Sequence, residues 1–493
     1  TVRIHPSERK RQTARVGDRS ASRTGLVIRF MAQYTHAVDA MALAPDEAFS
    51  RRSVTAQVFG LAWPTLIEQL LGLAVGLVNT YLVGHIGASA LAAVGLSTQI
   101  VNLLIGLFSA VGVGSTALVA RLVGADDPQE AERIAGQSFL LAVAIGLLTL
   151  PPCVLWGGAM LALLGGTKDI VAPGGAYLAA VGFAMPLMAL LFIGNATLRG
   201  AGDMRTPMWV MVLVNLVNVA VSWTLINGLG PFPELGVQGA GIGYGCGIAV
   251  GGICVVFALV SGRNSAGIRL RPATLRLQPK ATWRLMRIGV PSGIEQTIMR
   301  LAQLATAVVV TQLGTPAYAG HQLGLQFLSV SFMPGFAFSV AATTLVGQEL
   351  GRRAPKRAQA CVHTTTWITC LVMSLMGLLA FFTAESLLRV FTNDVEVIDQ
   401  GIDAVRMGAL MQPPLGIYFV LAGALRGAGD TGFVLVAQAV PMWLIRIPLA
   451  FLLGPVLGFG LVGVWVAMIL DTIGRSVLLW VRFRQGRWRY LRV

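Results

Sequence analysis

The sequence predicts an all-α polytopic membrane protein, with twelve transmembrane helices in two six-helix lobes related by a parallel internal repeat. Three observations predict it. Of 493 residues, 55% are hydrophobic and only 12% charged, with a mean hydropathy of +0.72. Soluble domains carry about 25% charged residues, so most of this surface has to face lipid. Apolar runs of about 20 residues recur along the chain, each long enough to cross a bilayer at ~1.5 Å per residue. Finally, the chain repeats itself. A shift of 227 residues lays Pro64, Ile67, Glu68 and Gln69 on Pro291, Ile294, Glu295 and Gln296, and Leu118 and Val119 on Leu345 and Val346. It also lays the block LRGAGD at Leu198 on the LRGAGD at Leu425. The offset holds without a net gap over about 140 residues, which marks duplication.

Taken in order, residues 1–57 are polar and arginine-rich, with no apolar core of the kind a cleavable signal peptide needs. They read as a disordered basic tail, and Met31 would make a natural first residue. The first lobe, 58–261, holds spans at 58–83, 92–119, 132–156, 173–197, 206–228 and 239–261. A basic linker at 262–285 follows. The second lobe, 286–482, holds spans at 286–311, 317–347, 360–383, 400–424, 432–455 and 460–482, and a basic tail closes the chain at 483–493. The spans at 92–119 and 317–347 are long, which predicts tilt or a break near their glycines. Six spans per half is an even number, so both halves enter the membrane in the same direction. Pro186 and Pro413 superpose in the fourth and tenth spans. Gly239, Gly243, Gly247 and Gly251 recur every four residues on the sixth, a close-packing face.

Charge sets the expected orientation. With both termini in the cytoplasm, 31 of the 37 Lys and Arg residues fall in the tails, the linker and the loops of that side. Arg199 and Arg426 are counted among those loop residues. Only Lys168 and Arg389 fall on the opposite side, and Arg300, Arg406, Arg446 and Arg475 lie within spans. The net charge of +15 is therefore topology, not a nucleic-acid interface. Cys153, Cys246, Cys254, Cys361 and Cys370 show no CxxC spacing, and all but Cys361 look embedded in apolar segments, so neither a disulfide framework nor a zinc site is expected. There is no GxxxxGK[ST] loop, no HExxH and no GxSxG, which excludes an ATP-driven pump within this chain and the common membrane hydrolases.

Several motifs together carry a resemblance. They are PTLIEQ at Pro64, VGHIGASALAAVGL at Val83, LRGAGDMRTP at Leu198 and GLGPFPELGVQGAG at Gly228. In the second half they are GVPSGIEQ at Gly289, AGHQLGLQFLSVSFMPGFAFSVAATTLVGQELG at Ala319 and LRGAGDT at Leu425. Over residues 55 to 488 the chain resembles the multidrug and toxin extrusion (MATE) family of the flippase-like exporter superfamily. The resemblance implies a two-lobed fold with a central cavity and export of organic cations in exchange for protons or sodium ions. It departs at one place: many members carry an aspartate where this chain has Asn79, which can neither titrate nor offer a full negative charge. A second-half glutamate familiar in some members would fall near Met299, a turn after Glu295.

The residues themselves suggest where function sits. Glu68 lies about eleven positions into the first span, ~16 Å along it, and Glu295 lies equally deep in the seventh. A carboxylate near the midplane costs a few kcal/mol unless it pairs, meets water or takes up a proton. Such a group suits exchange of a proton for a cationic substrate, or serves as a fixed hydrogen bond between helices. Pro64 and Pro291, four residues earlier, can kink each helix there. Arg446 and Asp471 lie at matching depth on adjacent spans and read as a buried ion pair, with Arg475 one turn below Asp471. His321 opens the eighth span as a helix-end hydrogen bonder or a titrating group. Gln69, Gln296, Asn79, Asn195 and Asn215 could line a cavity or bridge helices. The LRGAGD blocks look structural, with Arg favouring a helix C-terminal dipole, Gly taking a left-handed cap and Asp capping the next helix.

These readings converge on a secondary-active exporter, not an enzyme, of the plasma membrane (bacterial inner membrane). Its partners are small organic cations, a coupling ion and the lipid bilayer. It needs no cofactor or metal beyond H⁺ or Na⁺ and functions as a monomer. The alternative within transport is a flippase of a lipid-linked precursor.

Overall fold

A computed structural model of the chain describes residues 51–491. The expected disordered tail up to residue 50, Met31 within it, and the last two residues lie outside the described residues. Residues 51–57 differ from the expectation, since they form the first turns of a helix that starts at Arg51.

Twelve helical rods are present among the described residues. They are α1 (Arg51–Gly84), α2 (Ala88–Gly124), α3 (Pro128–Leu155), α4 (Lys168–Phe183 with Met185–Gly200), α5 (Arg205–Asn227) and α6 (Gly236–Ser261) in the first half. The second half holds α7 (Pro279–Thr311), α8 (Thr315–Gly351), α9 (Pro355–Arg389), α10 (Val395–Leu410 with Gln412–Gly427), α11 (Thr431–Val456) and α12 (Gly460–Arg484). Nine are continuous and apolar enough to span a membrane, and α4 and α10 qualify as bent pairs. The remaining rod, α7, is diluted by Lys280, Arg284, Arg287, Glu295 and Arg300. A seven-residue helix, Gly157–Leu163, follows α3.

The breaks are not where length alone put them. The long helices α2 and α8 run unbroken for 37 residues each. Instead α4 bends by 57° at Ala184 and α10 by 49° at Met411, positions related by the same 227-residue offset. Each break precedes Pro186 or Pro413 by two residues. Proline lacks the N–H of the helical ladder and disfavours helical geometry in the residue before it, so a duplicated proline gives a duplicated bend.

Two large cores form and exchange a helix end, with a small third cluster around Ala384, Leu388 and Val405. The first-lobe core includes Phe108, Met185, Leu191 and Val255, joined by Ala281, Leu285 and Ile288 from the start of α7. The second-lobe core includes Val346, Leu421, Trp465 and Leu479, joined by Val54, Val58 and Ala62 from the start of α1. Each crossing helix therefore leaves one lobe for the other near Pro64 or Pro291. The linker is also part of the first lobe. Ile268 and Leu270 sit in its core, and the buried Gln137 side chain clamps the segment: its amide donates to the carbonyls of Thr274 (3.4 Å) and Arg276 (2.8 Å), and its oxygen accepts from Gln278 N (2.9 Å) and Thr282 Oγ1 (3.1 Å). The linker and the start of α7 thus pack together on the first lobe.

The lobes meet backbone to backbone at the end that carries the basic loops. A Cβ added to Gly124 would stand 2.0 Å from the Gln348 carbonyl oxygen, and one on Gly351 2.1 Å from that of Arg121. No side chain fits there, so glycine is what allows the seal to close.

Candidate functional site

The two glutamates occupy equivalent sites. Glu68 is 7% exposed and Glu295 2% exposed. Arg199 Nη1 donates to Glu68 Oε1 at 2.8 Å, and Arg426 Nη2 donates to Glu295 Oε1 at 2.5 Å. The two arginines, like the glutamates, differ by 227 in number, so the ion pair itself is duplicated. Here the structure corrects two expectations. Arg199 and Arg426 are not loop residues facing the cytoplasm, and the LRGAGD arginines do more than sit on a helix dipole.

The LRGAGD turn explains how the cation is placed. Gly202 (φ 89°) and Gly429 (φ 87°) take the left-handed conformation, which costs other residues ~1–2 kcal/mol. The turn closes with Asp203 N donating to Leu198 O (2.9 Å) and Asp430 N to Leu425 O (2.8 Å). Thr116 Oγ1 donates to Ala196 O and Thr343 Oγ1 to Gly423 O, at 2.8 and 2.9 Å, tying the end of α4 to α2 and that of α10 to α8. Thr116 lies eight residues before the end of α2, so the turn is recessed by ~12 Å from that end. A run-length reading of hydropathy places such a short, bent helix end in a loop. Asp203 caps α5 as expected, accepting from Thr206 N (3.0 Å) and Thr206 Oγ1 (2.7 Å). Asp430 instead accepts from Arg482 Nε at 2.7 Å.

The surroundings of the two pairs differ. In the first lobe Asn195, one turn before Arg199, approaches Glu68 at 3.5 Å through its amide nitrogen. Glu68 Oε2 and Asn195 Oδ1 have no partner among the described residues. Asn215 bridges helices, donating to Leu71 O at 3.1 Å and to Met211 O at 2.8 Å. In the second lobe the Tyr418 hydroxyl faces both Glu295, at 3.5 Å, and Gln438 Oε1. The Arg475 guanidinium lies over the Tyr418 ring, 4.9 Å from its centre.

That contact leads to a second charged group. Arg446 donates to Asp471 Oδ2 at 2.9 and 2.7 Å, and Arg475 to the same oxygen at 2.8 Å. The expected pair is thus a triad in which one carboxylate serves two guanidinium groups, with Thr472 Oγ1 taking a further bond from Arg475 at 3.0 Å. Arg446 ends a π-helical turn, Met442–Arg446, just after Pro441. The first-lobe counterparts of α11 and α12, α5 beyond Arg205 and α6, carry no Lys, Arg, Asp or Glu, so the triad has no copy there. His321 is buried, edge-on to Trp465 at 5.6 Å, with Nδ1 unpartnered among the described residues. Asn79 is buried with Oδ1 unpartnered, and Gln69 and Gln296 are half-buried. None of Asn79, Gln69, Gln296 or His321 has a described hydrogen bond to either glutamate. No group of three or more His, Cys, Asp or Glu able to hold a metal occurs among the described residues.

Arg199 and Arg426 are what sequence reasoning missed. A usable signal existed: each lies 131 residues after its glutamate, in both halves.

The MatE family model matches residues 64–224 and again 291–452, two segments whose starts differ by 227, the repeat offset. The chain is 30% identical over 432 residues to a probable multidrug resistance protein NorM of Thermotoga maritima, covering 88% of this chain and 92% of that one. It is 28% identical over 441 residues to an uncharacterized transporter, YisQ, of Bacillus subtilis, covering 88% of this chain and 95% of that one. Its fold is similar to that of an outward-facing multidrug resistance MATE family transporter of the MOP superfamily, with a TM-score of 0.82 at 20% identity over 89% of this chain and 97% of that one.

Proposed function

The chain belongs to the MatE family, and from that premise we propose that it exports organic cations from the cytoplasm in exchange for protons or sodium ions. It is a multi-pass membrane transporter and not an enzyme. We place it in the bacterial inner membrane as a monomer, with both termini cytoplasmic and two lobes alternating access to a cavity between them. With that orientation the glycine seal is on the cytoplasmic side, and this conformation faces outward.

One observation carries the coupling assignment: the duplicated Glu–Arg pair, set four residues beyond the proline at which each crossing helix changes lobes. A buried ion pair offsets the desolvation of both charges only while it is intact, and removing one partner costs 3–5 kcal/mol. A carboxylate so placed responds steeply to an arriving proton, sodium ion or cationic substrate. Glu68 and Glu295 are therefore the coupling groups, with Asn195 and Asn215 beside the first. We assign Asp471 and Arg446, linked to Glu295 through Arg475 and Tyr418, and the buried His321 to supporting roles in the second lobe, and Asn79, Gln69 and Gln296 to the polar lining of the cavity. A flippase of lipid-linked precursors would need a cavity lined by available cations. The buried Arg199, Arg426, Arg446 and Arg475 are all engaged by carboxylates.

The test is ethidium efflux from everted vesicles under separate pH and sodium gradients. Wild type is expected to export, with the effective gradient naming the ion, and Glu68→Gln and Glu295→Gln to lose that dependence while still reaching the membrane. Normal ion-dependent export by both variants would overturn the assignment.

A further inference from the structure

The arginines of the two pairs have a setting unlike that of simple structural counter-ions. Each sits on a recessed glycine turn, not on a rigid mid-helix position. The Arg199 turn also touches the other lobe. Thr344 Oγ1 of α8 donates to the Arg199 carbonyl at 3.0 Å, and a Cβ on Gly202 would stand 3.0 Å from the Gln348 side-chain amide. Gln348 is the residue whose carbonyl closes on Gly124. One residue thus holds Glu68 through its side chain and the inter-lobe seal through its backbone.

The first-lobe carboxylate is also incompletely used. Glu68 Oε2 and the neighbouring Asn195 Oδ1 are buried acceptors with no donor among the described residues. Among the described residues Arg199 and Asn195, both from α4, face Glu68. Those facing Glu295 are Arg426 and Tyr418 from α10, with Gln438 of α11 and Arg475 of α12 held through Tyr418. In each lobe a single guanidinium makes the charge-assisted bond to the glutamate. It is the cation that any coupling ion has to displace.

We propose that Arg199 and Arg426 are the internal counter-cations of transport: each occupies its glutamate until a coupling ion replaces it, and release of Arg199 loosens the turn that abuts the seal. They are positioning residues, acting through the glutamates. The inference rests on the coupling role of Glu68 and Glu295.

Binding competition supplies the readout. If the arginine competes with the coupling ion, its removal lets the ion bind at lower concentration, because coupling between two ligands is reciprocal. In proteoliposomes of the full chain with ethidium as probe, Arg199→Gln and Arg426→Gln are expected to lower the half-maximal H⁺ or Na⁺ concentration for exchange by about tenfold. That is the size of a typical coupling between sites. Arg199→Lys and Arg426→Lys, which keep the charge, should stay close to wild type. An unchanged half-maximal concentration with only a lower yield or rate would overturn the proposal, since a structural contact changes amount and not ion dependence. Should the single variants fail to fold, the double variant Glu68→Gln/Arg199→Gln removes both charges and retains two amides. It is expected to fold and to lose part of the ion dependence; wild-type ion dependence in the double variant would also overturn the proposal. If Glu68→Gln and Glu295→Gln alone leave ion dependence intact, the coupling assignment itself fails. If they abolish it while the arginine variants leave it unchanged, only the counter-cation role fails.

Discussion

Gly124→Ala tests whether the closed seal belongs to one conformation. The added methyl is the smallest possible side chain, yet its Cβ would lie 2.0 Å from the Gln348 carbonyl oxygen and 2.6 Å from the carbonyl carbon. Ordinary carbon–oxygen contact is near ~3.4 Å, so α2 and α8 would have to part by more than an ångström, and the obstacle is backbone that cannot rotate away. Overpacking of this kind costs about 1–3 kcal/mol. At a factor of ten per ~1.4 kcal/mol, the sealed conformation should lose about 5- to 150-fold in population relative to one with the lobes apart at this end. A single cysteine at Ala120, buried beside Gly347, would report the change as faster reaction with a membrane-impermeant thiol reagent from that side. The host for this assay carries Cys153, Cys246, Cys254, Cys361 and Cys370 replaced by serine or alanine. Gly106→Ala on the same helix is the control, because a Cβ there meets nothing within 4 Å. Wild-type protection of Ala120→Cys together with wild-type export in Gly124→Ala would refute the reasoning.

Asp471→Asn leaves Arg446 and Arg475 buried without a counter-charge, and a loss of 3–5 kcal/mol should appear as a clearly lowered melting temperature in detergent; an unchanged melting temperature would show that other groups neutralise the pair. Gln137→Ala removes four hydrogen bonds between α3 and the linker, so trypsin should cleave at Arg269, Arg271 or Arg276 several times faster, with export reduced less than cleavage rises; wild-type resistance would mean that the apolar docking of Ile268 and Leu270 suffices. Gly202→Ala forces a side chain into a φ of 89° beside Gln348 and should cost about 1–2 kcal/mol of stability, whereas Gly432→Ala, with nothing within 4 Å, should be near neutral by the same melt.

The parts of this fold that depend on composition and period could be read from the chain. Apolar run length gave the rods, and the 227-residue offset gave their division into two sets. Pro186 and Pro413 were recognised as equivalent, although the broken helices they produce were not. Tertiary geometry hid the rest. The start of α7 reads as a linker because Lys280, Arg284 and Arg287 interrupt it, yet Ala281, Leu285 and Ile288 at helical spacing carry it into the first-lobe core. Arg199 and Arg426 end apolar segments, and a one-dimensional reading sends such residues to the nearest loop. Only the recess of the LRGAGD turn behind α2 and α8 turns them inward. Arg446 and Asp471 were legible as a pair because two opposite charges in lipid have few other solutions.

Duplication then separates what both lobes need from what one lobe added. A gene copied whole delivers the same proline, glutamate, threonine and LRGAGD turn twice, and the Glu–Arg pair and the threonine bond to the bent helix recur in both halves. The crossing helix with its Glu–Arg pair is therefore common machinery, suited to a motion in which both lobes take part. The Arg446–Asp471–Arg475 triad is different, since α5 beyond Arg205 and α6, the matching first-lobe helices, carry no charged residue. Buried charges are costly to introduce and gain nothing from symmetry, so their presence on one side alone demands a one-sided reason. Through the Tyr418 ring the triad connects a second guanidinium to the group that faces Glu295, while among the described residues Glu68 is met by Arg199 and an amide. The two carboxylates thus face different electrostatic competition for the same incoming ion. Exchange of one ion for one cationic substrate becomes directional more readily when the two sites fill in a fixed order, and the extra arginines supply such an order. On that account Glu68 engages the coupling ion at lower concentration than Glu295, and apolar replacement of the whole triad, Arg446→Met with Asp471→Leu and Arg475→Met, should bring the two half-maximal concentrations together. Two values that stay apart in the triple variant would place the asymmetry elsewhere, in the unpartnered Glu68 Oε2 and Asn195 Oδ1 of the first lobe.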